Sequence, residues 1–186
     1  MGRQNAATAP RIDRDRIVEV GLRLLEEQGF EQLSLRRIAE HLGVQTPALY
    51  WHIKDRAELY GLMTEAMLRE SVGSVDPELT GAGFLIALGR ALHFTHMHRR
   101  DAAHLIALAK PNPDSSETAA IVRRLATGGI ERAGEALSVV YAFTLGWSLF
   151  RTNRYTEAAM ARRMDVDDAF ELGLRAVAEG FSERGG

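Results

Sequence analysis

Apolar residues recur at helical spacing along almost the whole sequence, and no useful length of it alternates with the two-residue period of a strand. Proline breaks the interior of a helix, so its positions mark helix boundaries. Five prolines fall between the periodic segments or in a first turn: Pro10, Pro47, Pro77, Pro111 and Pro113. The sequence therefore predicts an all-α fold.

Residues 34–53 predict two short helices joined by a tight turn. Ser34 suits the N-cap of the first helix, and Gly43 suits the turn that follows it. One face of the first helix is apolar: Leu35, Ile38, Ala39 and Leu42. The second helix is predicted over 46–52, with Pro47 in its first turn, where the missing N–H has no cost. This arrangement is a helix-turn-helix, whose second helix enters the major groove of DNA.

Two large aromatic residues, Tyr50 and Trp51, are adjacent in the second helix. Neighbouring helix positions differ by about 100°, so both rings cannot face one core. One interpretation packs Trp51 on the next helix and leaves Tyr50 on the surface; the other, which we favour, places Tyr50 against DNA and lets Trp51 pack and donate to a phosphate. Other residues of this stretch suit base edges, thymine methyls or phosphates: Thr46, Pro47, Ala48, His52, Lys54 and Arg56.

The segment SVDPELTGAG, residues 74–83, interrupts the helical pattern and separates two predicted domains. The first is a DNA-binding domain over 12–72, with a three-helix arrangement whose helix-turn-helix covers about 34–53. The second is a helical ligand-binding and dimerisation domain over 81–184. Asp55 and Glu58 form a capping-type signature for a connecting helix over about 56–72. Further helices are predicted over 82–98, 100–109, from Ser115 or Ser116 to Gly128, over 131–152 and over 166–183.

Several classes of protein are excluded or disfavoured by composition. The sequence has no cysteine, which excludes disulfides, thiolate catalysis and cysteine-based zinc sites. A net charge of −2 argues against coating nucleic acid without regard to sequence. No apolar run approaches the ~20 residues of a membrane span, and residues 1–11 lack the apolar stretch of a secretory signal. We therefore expect a soluble cytoplasmic protein without a membrane partner.

A group of histidines in the second domain raises the possibility of a metal site: His93, His96, His98 and His104. Only Asp101 could join them as an acidic ligand, so core or surface roles are favoured, with a hydrogen bond from His96 to a ligand as the other alternative. A helical enzyme would need a base, an orienting carboxylate and a nucleophile in one cleft. No such spaced set is present, so we expect no metal, no cofactor and no enzymatic activity.

The segment LSLRRIAEHLGVQTPALYWHIKDRAEL resembles the helix-turn-helix of the tetracycline-repressor (TetR) family. Three further segments, HRRDAAHLIALAKPNP, VVYAFTLGW and DAFELGLRAVAEGF, resemble the ligand-binding body of the tetracycline repressors. The resemblance implies a homodimeric, ligand-responsive regulator, more readily a repressor than an activator, that binds a palindromic operator. It also implies contacts with bases and the groove by Arg36, Thr46, Pro47, Ala48 and Tyr50, and with the backbone by Trp51, His52 and Arg56.

The resemblance is weaker at the ligand. Tetracycline repressors hold a magnesium–drug chelate through a histidine and a glutamate, and here Ile106 and Phe150 align with those positions. Leu88 and Val72 similarly align with an asparagine and a second histidine. The implied pocket is apolar and metal-free, so tetracycline is not carried over as the ligand. The residues expected to line it are Leu88, Leu92, His96, Ile106, Leu137 and Tyr141.

The predicted helix over 131–152 is apolar nearly all round and needs more burying surface than one subunit offers. Gly173 in the last helix permits close helix approach, so these two helices are expected to pair with their copies in a homodimer. Six residues are expected in this interface: Phe143, Trp147, Phe150, Phe170, Gly173 and Val177. An ordinary monomer core is the alternative for these helices, and an adaptor protein that has lost DNA binding is the alternative for the whole chain.

Overall fold

The computed structural model describes residues 12–182 and contains ten α-helices within them. The helices are α1 (Arg14–Gln28), α2 (Leu35–Leu42), α3 (Thr46–Leu49), α4 (Arg56–Gly73), α5 (Gly81–His98), α6 (Ala102–Ala107), α7 (Ser116–Thr127), α8 (Ala133–Thr152), α9 (Arg154–Ala161) and α10 (Val166–Gly180). A short 3₁₀ helix, Phe30–Gln32, lies between α1 and α2. No strand occurs in the described range, which confirms the all-α prediction.

Polar caps begin three of these helices at the predicted residues. The side chain of Ser34 accepts a hydrogen bond from the Arg37 amide at 3.3 Å, and that of Ser115 from the Thr118 amide at 3.2 Å. Asp55 Oδ1 accepts from the Glu58 amide at 2.8 Å. Each cap satisfies an amide that has no partner inside its own helix, so the starts of α2, α4 and α7 follow from local sequence.

Four helices differ from the prediction. The second helix of the helix-turn-helix ends at Leu49 instead of His52, and α6 spans Ala102–Ala107 instead of 100–109. The short helix α9 was not predicted; none of its residues is buried, so it has no apolar stripe to reveal it. The last helix ends at Gly180, and residue 183 of the predicted range lies outside the described residues.

Two hydrophobic clusters hold the chain together. The N-terminal cluster joins α1 to α4 with three residues of α6, namely Ala102, Leu105 and Ile106. The body cluster joins the end of α4 to α5, α7, α8 and α10, and Tyr141 of α8 packs against both. The body thus supplies α6 to the core of the N-terminal helices. The limits 12–72 and 81–184 stay a prediction, and residue 184 is not among the described residues.

The helix α8 has 20 residues and a mean hydropathy of 1.2 in its most apolar window, enough by length and composition to cross a membrane. The expectation that no segment approaches that length is therefore wrong for α8. A core helix passes the same test, and α8 packs against α5 and α10 with Ala136, Leu137 and Val140 buried. The apolarity of α8 is therefore weak evidence for a membrane span.

Candidate functional site

The turn between α2 and α3 depends on Gly43. Its φ of 69° and ψ of 31° lie in the left-handed region, which a residue without Cβ occupies at no steric cost. The Val44 amide then donates to the Ala39 carbonyl at 3.0 Å and closes the turn. Leu35, Ile38, Ala39 and Leu49 are buried between the two helices. The predicted inner face is present, and it fixes α3 on α2.

Residues 50–54, after α3, form a turn whose inner side packs on the core and whose outer side is open to solvent. The Leu49 carbonyl accepts from the amides of His52 and Ile53, both at 2.9 Å, and the side chains of Leu49 and Ile53 are buried. Tyr50 and Trp51 remain 56% and 90% exposed. The expected packing of Trp51 within the subunit is therefore wrong, because Ile53, which sequence reasoning missed, fills the core position instead.

The other DNA-contact candidates differ in their exposure and in the contacts that they make within the fold. The Arg36 side chain is 83% exposed and pairs with Glu40 at 2.9 Å. Arg56 is partly engaged inside the fold, because it donates to the Leu33 carbonyl at 3.0 Å and to the Tyr60 hydroxyl at 3.2 Å. Only its remaining donors are free to reach a phosphate. Pro47 and Lys54 are exposed, whereas Thr46, Ala48 and His52 are half-buried.

The residues expected to line an effector pocket lie along the seam between the two clusters. Leu88, Leu92 and Leu137 belong to the body cluster, whereas Ile106 belongs to the N-terminal cluster. Tyr141 packs against both clusters, and its ring lies edge-on to His96 at 6.2 Å between centroids. Tyr141 is partly buried and the other five are buried, and five surface cavities of residues 12–182 are lined by other side chains. The six residues thus lie on three helices that contact one another, α5, α6 and α8, and none of them lines these five cavities.

Polar groups near this seam are neutral at physiological pH. Ser148 Oγ lies 3.0 Å from His93 Nδ1 and 3.4 Å from His96 Nδ1, and it donates to the Thr144 carbonyl. Burial lowers the pKa of each histidine to about 4, with the Arg151 charge adding to the effect on His93 and His93 adding to that on His96. Burial also raises the pKa of Tyr141 to about 12.

The two remaining histidines of the predicted group point elsewhere. His98 Nδ1 contacts the Phe94 carbonyl of its own helix at 2.9 Å. The His104 ring lies edge-on to the Phe30 ring, with 4.6 Å between the ring centroids. Across residues 12–182, no three His, Cys, Asp or Glu side chains converge as a metal-binding group. The absence of a metal stays a prediction.

The outer faces of α8 and α10 expose apolar side chains. Val139, Phe150 and Leu172 are 43%, 55% and 71% exposed, and sequence reasoning named only Phe150. The indole N–H of Trp147 is buried without an acceptor among the described residues. Phe170, in contrast, is inside the subunit, stacked on His93 at 4.0 Å between ring centroids. Its predicted interface role therefore has less support than that of Phe150.

The glycine and valine predicted for this interface differ in their surroundings. Gly173 lies directly over the Phe143 ring, so that an added Cβ would come within 2.8 Å of it. Val177 lines a surface cavity of about 710 Å³ between α8 and α10, together with Val139 and Gly180. Gly173 therefore packs α10 on α8 within one subunit, and Val177 opens onto the surface.

A short helix fixed on a second helix by a buried apolar face, with an exposed aromatic pair at its end, defines a helix-turn-helix protein. The sequence profile described as "Bacterial regulatory proteins, tetR family" matches residues 17–63. Tetracycline repressor protein class A from transposon 1721 of Escherichia coli is 32% identical over 90% of this chain and 89% of its own length. The class G repressor of Vibrio anguillarum is 32% identical over 92% and 94%.

The same likeness holds in three dimensions. A TetR variant from Acinetobacter baumannii AYE, solved in complex with minocycline, superimposes with a TM-score of 0.71 at 29% identity, over 92% of this chain and 97% of that one. The chain belongs to the TetR family of bacterial regulatory proteins. It is a DNA-binding transcriptional regulator and not an enzyme.

Proposed function

We propose that the protein is a repressor that binds a palindromic operator as a homodimer and is released by a small, largely apolar effector. The exposure of Tyr50 and Trp51 above the buried anchors Leu49 and Ile53 is the observation that carries the DNA-binding part. Bases would be reached by Arg36, Thr46, Pro47, Ala48 and Tyr50, and the phosphates by Trp51, His52, Lys54 and Arg56. A cytoplasmic location follows from this function.

The homodimer is supported by the apolar surface of α8 and α10. A second copy would cover Val139, Phe150 and Leu172 and could supply an acceptor for the Trp147 indole. A two-fold dimer that binds one face of DNA places its recognition helices about 34–36 Å apart, one turn of B-DNA, and reads an inverted repeat.

The apolar nature of the effector is supported by the seam between the clusters. Leu88, Leu92 and Ile106 offer only hydrocarbon, so His96 and Tyr141 are the groups left to orient a ligand. The minocycline complex of the Acinetobacter TetR variant supports a small-molecule effector as such. An effector in the seam would separate α6 from the body helices, and one bound ~100-fold more tightly to the opened state would shift the equilibrium by about 2.7 kcal/mol.

Replacing the groove residues tests the DNA-binding proposal. Tyr50→Ala and Thr46→Ala are each expected to weaken binding to a palindromic fragment from upstream DNA by about 10- to 100-fold, because each removes a base or phosphate contact. Fluorescence anisotropy at fixed salt measures the effect. Tyr155→Ala is the matched control, because Tyr155 is a 71% exposed tyrosine on α9. Operator binding by Tyr50→Ala equal to that of the control would contradict the proposal and favour the adaptor alternative.

Introducing an acidic residue on α10 tests the proposed homodimer. Leu172→Asp is expected to produce monomers and to weaken operator binding by about 100-fold or more, because the linkage between two half-site contacts is lost. Sedimentation velocity gives the oligomeric state. Leu108→Asp, at a leucine that is 52% exposed outside α8 and α10, should leave the dimer intact. A Leu172→Asp variant of unchanged mass in solution would rule out this surface as the interface.

A further inference from the structure

The 50–54 turn carries most of the proposed backbone contacts, yet it lies beyond the end of α3. Leu49 and Ile53 are buried beneath it, but the side chains of Tyr50, Trp51 and Lys54 are exposed. A protein–DNA contact needs its donors held in register by surrounding groups. Those groups must therefore act on the backbone of the turn.

Two side chains from outside the turn hold its backbone. Arg14 at the start of α1 donates through Nε to the His52 carbonyl at 2.9 Å, across 38 residues of sequence. Glu58 in the first turn of α4 accepts from the Lys54 amide through Oε2 at 2.6 Å. The two side chains also pair, with Arg14 Nη2 lying 3.6 Å from Glu58 Oε1. This pair of side chains, called the bracket below, thus fixes the peptide groups on both sides of Ile53.

The bracket departs from a standard capping box. In that motif the acidic residue at N3 bonds to the amide of the N-cap itself. Asp55 is the N-cap of α4 and accepts from the Glu58 amide, but the Glu58 carboxylate reaches one residue further back, to Lys54. The carboxylate is thus used to hold the turn and not to close the helix end.

We infer that Arg14 and Glu58 are positioning residues for DNA binding, which act through the backbone of the 50–54 turn. The inference rests on the proposed role of this turn at the operator. Arg14 is 57% exposed and Glu58 23%, and pairs of this kind contribute little to folding. Their effect on operator binding should therefore exceed their effect on stability.

Three substitutions distinguish positioning from a direct phosphate contact. Arg14→Gln, Glu58→Gln and Arg14→Lys are each expected to weaken operator binding by about tenfold, because each breaks one end of a charge-assisted bracket. Lysine retains the charge but cannot make both the Nε and the Nη2 contacts. The double variant Arg14→Gln/Glu58→Gln should bind no worse than either single variant, because both act on one bracket.

The measurement is operator affinity over a series of salt concentrations, with the thermal midpoint recorded for each variant. Arg16→Gln is the control, because Arg16 pairs with Glu19 on the same helix away from the turn. We expect an unchanged salt slope and midpoints close to the control.

A slope lower by about one for Arg14→Gln, or full binding by Arg14→Lys, would identify a direct phosphate contact and overturn the inference. Control-like affinity of both Arg14→Gln and Glu58→Gln would also overturn it. If instead Tyr50→Ala binds normally, the proposed function itself fails.

Discussion

Gly61→Ala is expected to lower the free energy of unfolding by about 3 kcal/mol, in the upper part of the range for overpacking. Gly61 lies on α4 against the loop that follows α6, where a Cβ would come well within 3.0 Å of the Lys110 carbonyl oxygen. That oxygen is backbone and cannot rotate away. The Lys110 amide also donates to the Ala57 carbonyl at 3.1 Å, so an added methyl would separate the loop from α4 and break this bond.

Gly73→Ala is the matched control for this prediction. Gly73 is on the same helix, and an added Cβ there would have no neighbour within 4 Å. Alanine should be neutral or stabilising by up to ~1 kcal/mol, because it forms helix more readily than glycine. Urea unfolding followed by circular dichroism, at one protomer concentration and without ligand, measures both variants. Equal stability of the two would show that α4 and the loop are not in tight contact.

Gly128→Ala is expected to destabilise the body by a similar amount, about 3 kcal/mol. Gly128 ends α7 directly against Gly81 at the start of α5, and an added Cβ would lie well within 3.0 Å of the Gly81 backbone. Gly81 has a φ of 55°, so its own conformation also disfavours a side chain. The end of α7 and the start of α5 therefore touch backbone to backbone, and neither glycine has a flexible side chain that could yield.

Gly83→Ala serves as the control, because Gly83 is in α5 and its Cβ would meet only Leu79 Cδ2 at 3.7 Å. The same urea titration should place this variant at or slightly above the wild-type stability. A Gly128→Ala protein as stable as Gly83→Ala would contradict the close approach of the end of α7 to the start of α5.

Much of the fold was predictable because its signals are local. Ser34, Gly43 and Ser115 each act on amides or dihedral angles within four residues, and the helix boundaries they predicted are confirmed. The helix α9 gave no such signal, since its only cue is the Asn153 cap, whose Oδ1 accepts from the amides of Tyr155 and Thr156. Without a buried face, a short helix has no apolar stripe to distinguish it from a loop.

The candidate sites were predictable in composition but not in geometry. The residue types around Tyr50 indicated DNA contact, yet the sequence did not show that Ile53 is buried beneath the turn while Trp51 packs on nothing within the subunit. The Arg14–His52 contact joins groups 38 residues apart and leaves no trace in local spacing. Four of the six pocket candidates are aliphatic, but apolar composition does not distinguish a closed seam from an open cavity.

The loop contact at Gly61 has a practical consequence for chemical labelling. A cavity of about 230 Å³ beside Gly61 is lined by Lys54 of the 50–54 turn and by Lys110 of the body loop. These are the only lysines in the sequence, so an amine-directed reagent modifies side chains at this junction and nowhere else. Quantitative mass spectrometry of the two acylated peptides therefore reports on the contact between the DNA-reading helices and the body, without any engineered probe.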